Sequence, residues 1–194
     1  GVAPIPNSLE LPEIISTEFN IEGNPIKNFI DLVCKIKPDQ VTLVPDSVDA
    51  ITSNSGWDTL KNKSFLEEVI SEFKNNGIRT SVFVETDLKL IEGAKTTGAD
   101  RIELYTESFA INFHKGNKDE INKYINASVL ANDLGMGVNA GHDLSLENIQ
   151  FFVDKIPYLD EVSIGHAIIC ESLYLGIENV VNMYLQKINN AFKK

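Results

Sequence analysis

The sequence predicts an α/β chain of the (β/α)8 TIM-barrel class, and three observations predict it. Short runs rich in Val, Ile, Thr and aromatic residues alternate with amphipathic stretches of helical period, as parallel strands joined by crossover helices require. No strand-like run is followed by G-x-G-x-x-G or a P-loop, so a nucleotide-binding doubly wound sheet lacks its signature. Titratable residues gather at the carboxyl ends of the strand-like runs, the end where barrels place their chemistry.

The elements follow one another in order. "FNIE" (19–22) reads as the first strand. "PIKNFIDLVCKI" then sets Ile26, Phe29, Ile30, Val33 and Ile36 on one helical face, with Pro25 suited to a first turn. "QVTLVP" (40–45) is the second strand, followed by the polar loop "AITSNSGWD" (50–58). "SFLEEVISEFKNNG" repeats the helical pattern with Phe65, Leu66, Val69, Ile70 and Phe73, with Ser64 as expected N-cap and Gly77 as expected C-cap. "RTSVFVE" (79–85) and "RIELYT" (101–106) flank the helical "LKLIEGAKTTGAD". "INKYINASVLANDLG" leads into "GVNAGH" (137–142), and "EVSIGH" (161–166) is the sixth strand, each of these last two preceding an expected helix start. A closed barrel takes eight strands. The opening "GVAPIPNSLELPEIISTE" (1–18) holds three of the seven prolines and no strand–helix unit. The expectation is therefore one barrel domain over 1–194, irregular over 1–18, whose first two strands are missing from this chain. Either the chain is part of a longer barrel, or stretches of it have been left out.

Composition bounds the function. An apolar fraction of 43% and a charged fraction of 23% suit an ordinary globular domain. A net charge of −11 argues against nucleic acid or an anionic membrane as partner. It still allows small anionic substrates, because backbone N–H groups at helix N-termini hold phosphate. Cys34 and Cys170 form no disulfide framework, no run approaches membrane-span length, and the start does not resemble a secretory signal, so a cytoplasmic location is expected. With no cluster of His, Asp and Glu at ligand spacing, no obligatory metal is expected.

The strand ends supply the candidate residues: Glu22, Asp46, Glu85 with Asp87, Glu103 with Thr106, His142 and His166. "NAGHD" and "SIGH" put His142 and His166 directly after glycines that let a ligand approach the backbone. These histidines suit proton transfer near neutral pH, against the competing reading that they bond loop carbonyls. If these strands are the seventh and eighth of a barrel, Asp143 and Gly165–His166 lie by its phosphate site. Glu22 shares a strand face with Asn20, and partial burial there would favour a general base. Glu103 lies mid-strand between Ile102 and Leu104, placed to pair with a cation, orient a histidine or stabilise an iminium. Thr52 in the polar loop is a candidate substrate contact, whereas His114, in "NFHKGNKDE", reads as a surface residue. The strand-like runs contain no lysine, which weighs against a Schiff-base aldolase.

Taken together, "TEFNIEG", "VTLVPD…ITSNSGWD", "GIRTSVFVETD", "DRIELYTESFA", "VNAGHDLSLEN" and "EVSIGHAII" strongly resemble the pyridoxine 5′-phosphate synthase family, from about residue 17 to the C-terminus. The resemblance implies a transferase of vitamin B6 biosynthesis with an eight-stranded barrel, assembled as a homo-oligomer, typically an octamer. It implies condensation of 1-deoxy-D-xylulose 5-phosphate with 3-amino-2-oxopropyl phosphate, releasing phosphate and water. It further implies Glu22 as proton acceptor, His142 as proton donor and Glu103 as transition-state stabiliser. Thr52 matches a contact to the deoxyxylulose phosphate, and Asp143, Gly165 and His166 match positions that hold the aminoketone phosphate. Many relatives have glycine at position 143 and histidine at position 105, where this chain has Tyr105. The family's first strand, with its asparagine and substrate loop, has no match in residues 1–18. Neither has its second strand, which ends in a His/Arg-rich segment. The rival readings are a non-catalytic phosphosugar-binding barrel and another phosphosugar enzyme of TIM-barrel type.

Overall fold

The computed structural model describes residues 11–46 and 55–191. Six strands alternate with helices: β1 (Asn20–Gly23), α1 (Lys27–Ile36), β2 (Gln40–Leu43), α2 (Lys63–Asn75), β3 (Arg79–Val84), α3 (Leu88–Thr96), β4 (Arg101–Tyr105), α4 (Glu107–His114), α5 (Ile121–Asp133), β5 (Gly137–Gly141), α6 (Ile149–Lys155), β6 (Leu159–Ser163), α7 (His166–Leu175) and α8 (Ile177–Ala191). The sheet order is β1-β2-β3-β4-β5-β6, the same as the chain order. Six of the eight βα units of the barrel class therefore stand among the described residues. The chain divides into two compact units, Gly1–Glu103 and Leu104–Lys194. Among the described residues no helix is long and apolar enough to cross a membrane.

In the first unit β1 pairs with β2 and β2 with β3, both in parallel. The register stacks two polar rungs on one face, Asn20–Gln40–Arg79 and Glu22–Thr42–Ser81. The Thr42 hydroxyl donates to Asn20 Oδ1 at 3.3 Å and Arg79 Nε to Gln40 Oε1 at 2.9 Å, while Arg79 is ion-paired with Glu18. The alternate residues Val41, Leu43 and Val82 are fully buried. They belong to the same core as Phe29 and Val33 of α1 and Leu66, Val69, Ile70 and Phe73 of α2. Burying each such side chain stabilises by about 1.5–3 kcal/mol. Two residues expected on these apolar helix faces are exposed instead. Ile26 is the N-cap residue of α1, and Phe65, at the start of α2, leans on Trp57 with ring centroids 6.0 Å apart. Pro25 thus precedes the helix. Ser64 lies inside α2, and Asn62 takes the N-cap position.

Glycine ends α2 and α5 as the spacing predicts, each just beyond the C-cap residue. Gly77 follows the C-cap of α2 at φ 78°, and the Ile78 N–H returns to the Phe73 carbonyl at 3.1 Å. Gly135 repeats this at φ 70°, with Met136 N–H on the Ala131 carbonyl at 2.9 Å. At the amino end of the strands, Asp100 accepts from the Thr80 N–H and hydroxyl, both at 2.9 Å, and from Lys74 Nζ at 2.8 Å. Burial works to raise its pKa, but the Lys74 and Thr80 contacts outweigh it and hold the carboxyl below the usual aspartate value.

In the second unit β5 and β6 pair in parallel, with Asn139 opposite Glu161 and Gly141 opposite Ser163. The sixth strand begins two residues earlier than the sequence predicts and stops at Ser163, so Gly165 and His166 open α7 rather than close a strand. The helix α4 is not visible as a periodic stretch, because Phe109, Ile111 and Phe113 alternate at strand spacing and only Phe109 is buried. Phe109 packs against Phe152 and Tyr124, with centroids 5.0 and 6.0 Å away. The Tyr124 hydroxyl donates to the Tyr105 carbonyl at 2.9 Å and accepts the Phe109 N–H at 3.3 Å, so the buried phenol is satisfied.

Candidate active site

Apart from Glu103, the described candidate residues lie near or beyond the carboxyl ends of strands, and each unit has its own set. In the first unit Glu22 is the third residue of β1, on the rung with Thr42 and Ser81. Partial burial was expected for Glu22, yet it is exposed, since β1 stands at one end of the strand order. Glu103, at the middle of β4, is fully buried, as its mid-strand position predicts. A carboxylate there is costly unless it has a task or a partner. Thr52 lies outside the described residues. The loop that follows it crosses the ends of β2 and β3. Trp57 N–H donates to the Phe83 carbonyl at 2.8 Å, and its indole to the Leu43 carbonyl at 3.0 Å. Gly56 is forced at this seam, because a Cβ would stand 2.5 Å from Val84 Cα. Two acids of the predicted ring have local duties. Asp87 caps α3 by accepting the Lys89 N–H at 2.8 Å, and Glu85 accepts the Gly56 N–H at 3.4 Å.

In the second unit His142 and Asp143 follow β5 directly, and both have left-handed backbones, φ 73° and 56°. Two consecutive non-glycine residues in this region cost roughly 1–3 kcal/mol each and persist only where their surroundings impose them. The surroundings are explicit. Thr106, fully buried, receives the Gly141 carbonyl on its N–H at 3.0 Å and again on its hydroxyl at 2.8 Å, and the same hydroxyl also contacts the His142 carbonyl. Asn148 Nδ2 donates to the Asp143 carbonyl at 3.2 Å, and its Oδ1 accepts the Ser145 N–H at 2.9 Å. The Tyr105 ring meets the His142 imidazole edge to face, 5.6 Å between centroids. The His142–Asp143 pair does not sit on a helix start as expected, since α6 begins only at Ile149. The spacer from Leu144 to Asn148 is the price of the left-handed turn.

Gly165 is the N-cap residue of α7, and His166, exposed, is its first residue. A Cβ at Gly165 would meet nothing within 4 Å. Because Gly141 is paired with Ser163, the His142 turn and the amino end of α7 emerge from adjacent strands at the same level. The structure thus brings together His142, Asp143, Gly165 and His166. A histidine held in one backbone conformation beside an open helix N-terminus is suited to proton transfer on a phosphorylated substrate. His114, at the end of α4, is exposed as predicted, 3.9 Å from Glu147. Among the described residues no group of three or more His, Cys, Asp or Glu side chains is placed to hold a metal ion.

Sequence reasoning passed over Asn148, Glu171 and Tyr184. Glu171 on α7 accepts the Leu146 N–H at 3.1 Å and the Tyr184 hydroxyl at 2.7 Å. Asn148 had a local signal, an Asn three residues after a Ser before an apolar run. Glu171 had none, because its two partners are 25 and 13 residues away.

Comparison with known proteins gives two kinds of likeness. Residues 8–190 match the family described as pyridoxal phosphate biosynthesis protein PdxJ. The pyridoxine 5′-phosphate synthase of Flavobacterium johnsoniae is 65% identical over 179 residues, 92% of this chain and 76% of that protein. That of Christiangramia forsetii is 61% identical over 177 residues, 91% and 75%. Among solved structures, thiamine phosphate pyrophosphorylase from Pyrococcus furiosus aligns with a TM-score of 0.59 at 12% identity, covering 98% of this chain and 80% of that one. Phosphoribosylanthranilate isomerase from Thermotoga maritima aligns at 0.57 and 10% identity, covering 96% and 80%. At such identities the structural likeness speaks for the barrel fold alone.

Proposed function

Since the chain belongs to the PdxJ family of pyridoxal phosphate biosynthesis proteins, and its activity is that of a pyridoxine 5′-phosphate synthase, we propose how its residues divide that work. The reaction joins 1-deoxy-D-xylulose 5-phosphate to 3-amino-2-oxopropyl phosphate, and phosphate and water leave. Amine–ketone condensation, dehydration and aromatisation each move protons, so positioned acids and bases supply the catalysis. Glu22 accepts a proton, His142 donates one, and Glu103 stabilises positive charge developing in the transition state. Asp143, Gly165 and His166 hold the aminoketone phosphate, with Asp143 acting through its backbone, and Thr52 contacts the deoxyxylulose phosphate. Both substrates are small phosphorylated molecules. The protein acts in the cytoplasm as a homo-oligomer, without metal or cofactor.

One observation carries this reading: a constrained histidine turn and a helix N-terminus with open space beside it, set on neighbouring parallel strands. The test is pyridoxine 5′-phosphate formation from both substrates by the full-length protein and its His142→Ala variant. Loss of the proton donor lowers kcat by about 100-fold or more. Phosphate ligands that bind without any turnover by the wild type would return the molecule to a non-catalytic phosphosugar-binding barrel.

A further inference from the structure

Glu171 joins three parts of the second unit. Its Oε1 accepts the Leu146 N–H at 3.1 Å, in the loop that starts at His142, and its Oε2 accepts the Tyr184 hydroxyl of α8 at 2.7 Å. Glu171 itself rides on α7, whose first residues are the Gly165–His166 pair. Thr106 and Asn148 hold the loop to the end of β4 and to itself. Glu171 holds it to α7.

We propose that Glu171, braced by Tyr184, is a positioning residue that sets the placement of the His142–Asp143 turn against the Gly165–His166 helix N-terminus. The inference rests on the synthase reading of that site. The chemistry of the pair suits the task. A carboxylate offers two acceptors at a fixed spread, one for each donor. Tyr184 is a rigid ring with only 4% of its surface exposed, so its hydroxyl is a fixed point. Burial first, and then the hydrogen bond and charge of Glu171, push the phenol above its ordinary pKa, so it remains a donor. Proton donor and phosphate contacts must be held to within about an ångström for efficient turnover, and this bond spans the two segments that supply them.

The experiment compares full-length wild type with Glu171→Leu, Glu171→Gln and Tyr184→Phe. It reads kcat and KM for both phosphate substrates, well below each melting temperature, and hydrogen exchange over residues 142–148. Glu171→Leu lowers kcat by about 10- to 100-fold and speeds exchange in the loop. Glu171→Gln keeps at least about a third of the wild-type kcat, because its oxygen can accept the Leu146 N–H while its amide donates to the Tyr184 oxygen. Tyr184→Phe removes only the hydroxyl and falls between them, and it serves in place of Glu171→Leu should that variant fail to fold. Wild-type kcat and unchanged loop exchange in the Leu and Phe variants would overturn the proposal. So would a Gln variant as impaired as the Leu variant, since charge rather than placement would then be at work. A wild type that makes no product would refute the synthase reading instead, and the exchange comparison would decide the positioning role without it.

Discussion

At the scale of single residues, the His142–Asp143 turn is where the chain departs from what its side chains prefer. Thr106→Val removes a hydroxyl that serves the Gly141 and His142 carbonyls. The Gly141 carbonyl keeps the Thr106 N–H, so the cost should be roughly 1–3 kcal/mol, the usual penalty for taking a partner from a buried polar group. Denaturant unfolding reads that loss, and kcat should fall with it, whereas Thr106→Ser restores both. Asp143→Gly acts in the other direction. At φ 56° glycine relieves left-handed strain of roughly 1–3 kcal/mol against an entropy cost of about 0.5–1 kcal/mol. The variant should unfold at higher denaturant and keep its affinity for phosphate, since only the Asp143 backbone is assigned to the ligand. A drop in affinity would mean that the carboxylate itself matters. The turn also shows what a sequence conceals. "GHD" announces a histidine after a glycine, but not that two non-glycine residues adopt φ values glycine would favour, because the bonds that impose them come from Thr106 and Asn148.

At the scale of elements, helices with a broad apolar stripe were legible and those without were not. The stripes of α2, α3 and α5 end at glycines that the structure uses as helix stops, whereas α1 stops at Lys37, itself left-handed at φ 54°. By contrast α4 carries its phenylalanines at strand spacing, and α7 buries no residue fully, so neither had a period to read. The polar rungs of β1 to β3 were half legible. Alternation was plain in "QVTLVP", yet both of its faces are buried, and Gln40 and Thr42 are as inaccessible as Val41 and Leu43. The Asp100 link between β3 and the start of β4 gives a test in pH. Its folded pKa lies below the ordinary aspartate value, so its contribution is present above roughly pH 3.9 and is lost as pH falls through the folded value. The stability gap between wild type and Asp100→Asn should therefore be largest near neutrality and close on acidification. A gap of constant size would show that the carboxylate charge plays no part.

At the scale of the whole molecule, charge and substrate are of like sign. The chain carries −11, and both substrates carry phosphate, so the field of these residues opposes encounter, and in the proposed site attraction is local, at a helix N-terminus. Raising ionic strength from 0.01 to 0.15 M shortens the screening length from about 30 to about 8 Å. Thus kcat/KM for each substrate should rise over that range with little change in kcat. A kcat/KM that falls with salt would mean that local cationic contacts dominate capture. The net negative charge, visible in composition alone, is what made this end of the problem legible from the start.

The order of the strands has a consequence for how the molecule is made. β2 pairs with β1, β3 with β2, and β6 with β5, each strand lying against the one synthesised immediately before it. None of these pairings waits for a later segment to thread into place. Closing each loop brings together residues only some twenty to forty positions apart, a modest entropic demand. As the chain leaves the ribosome, each new βα unit finds its template already formed, and growth of the sheet can keep pace with translation.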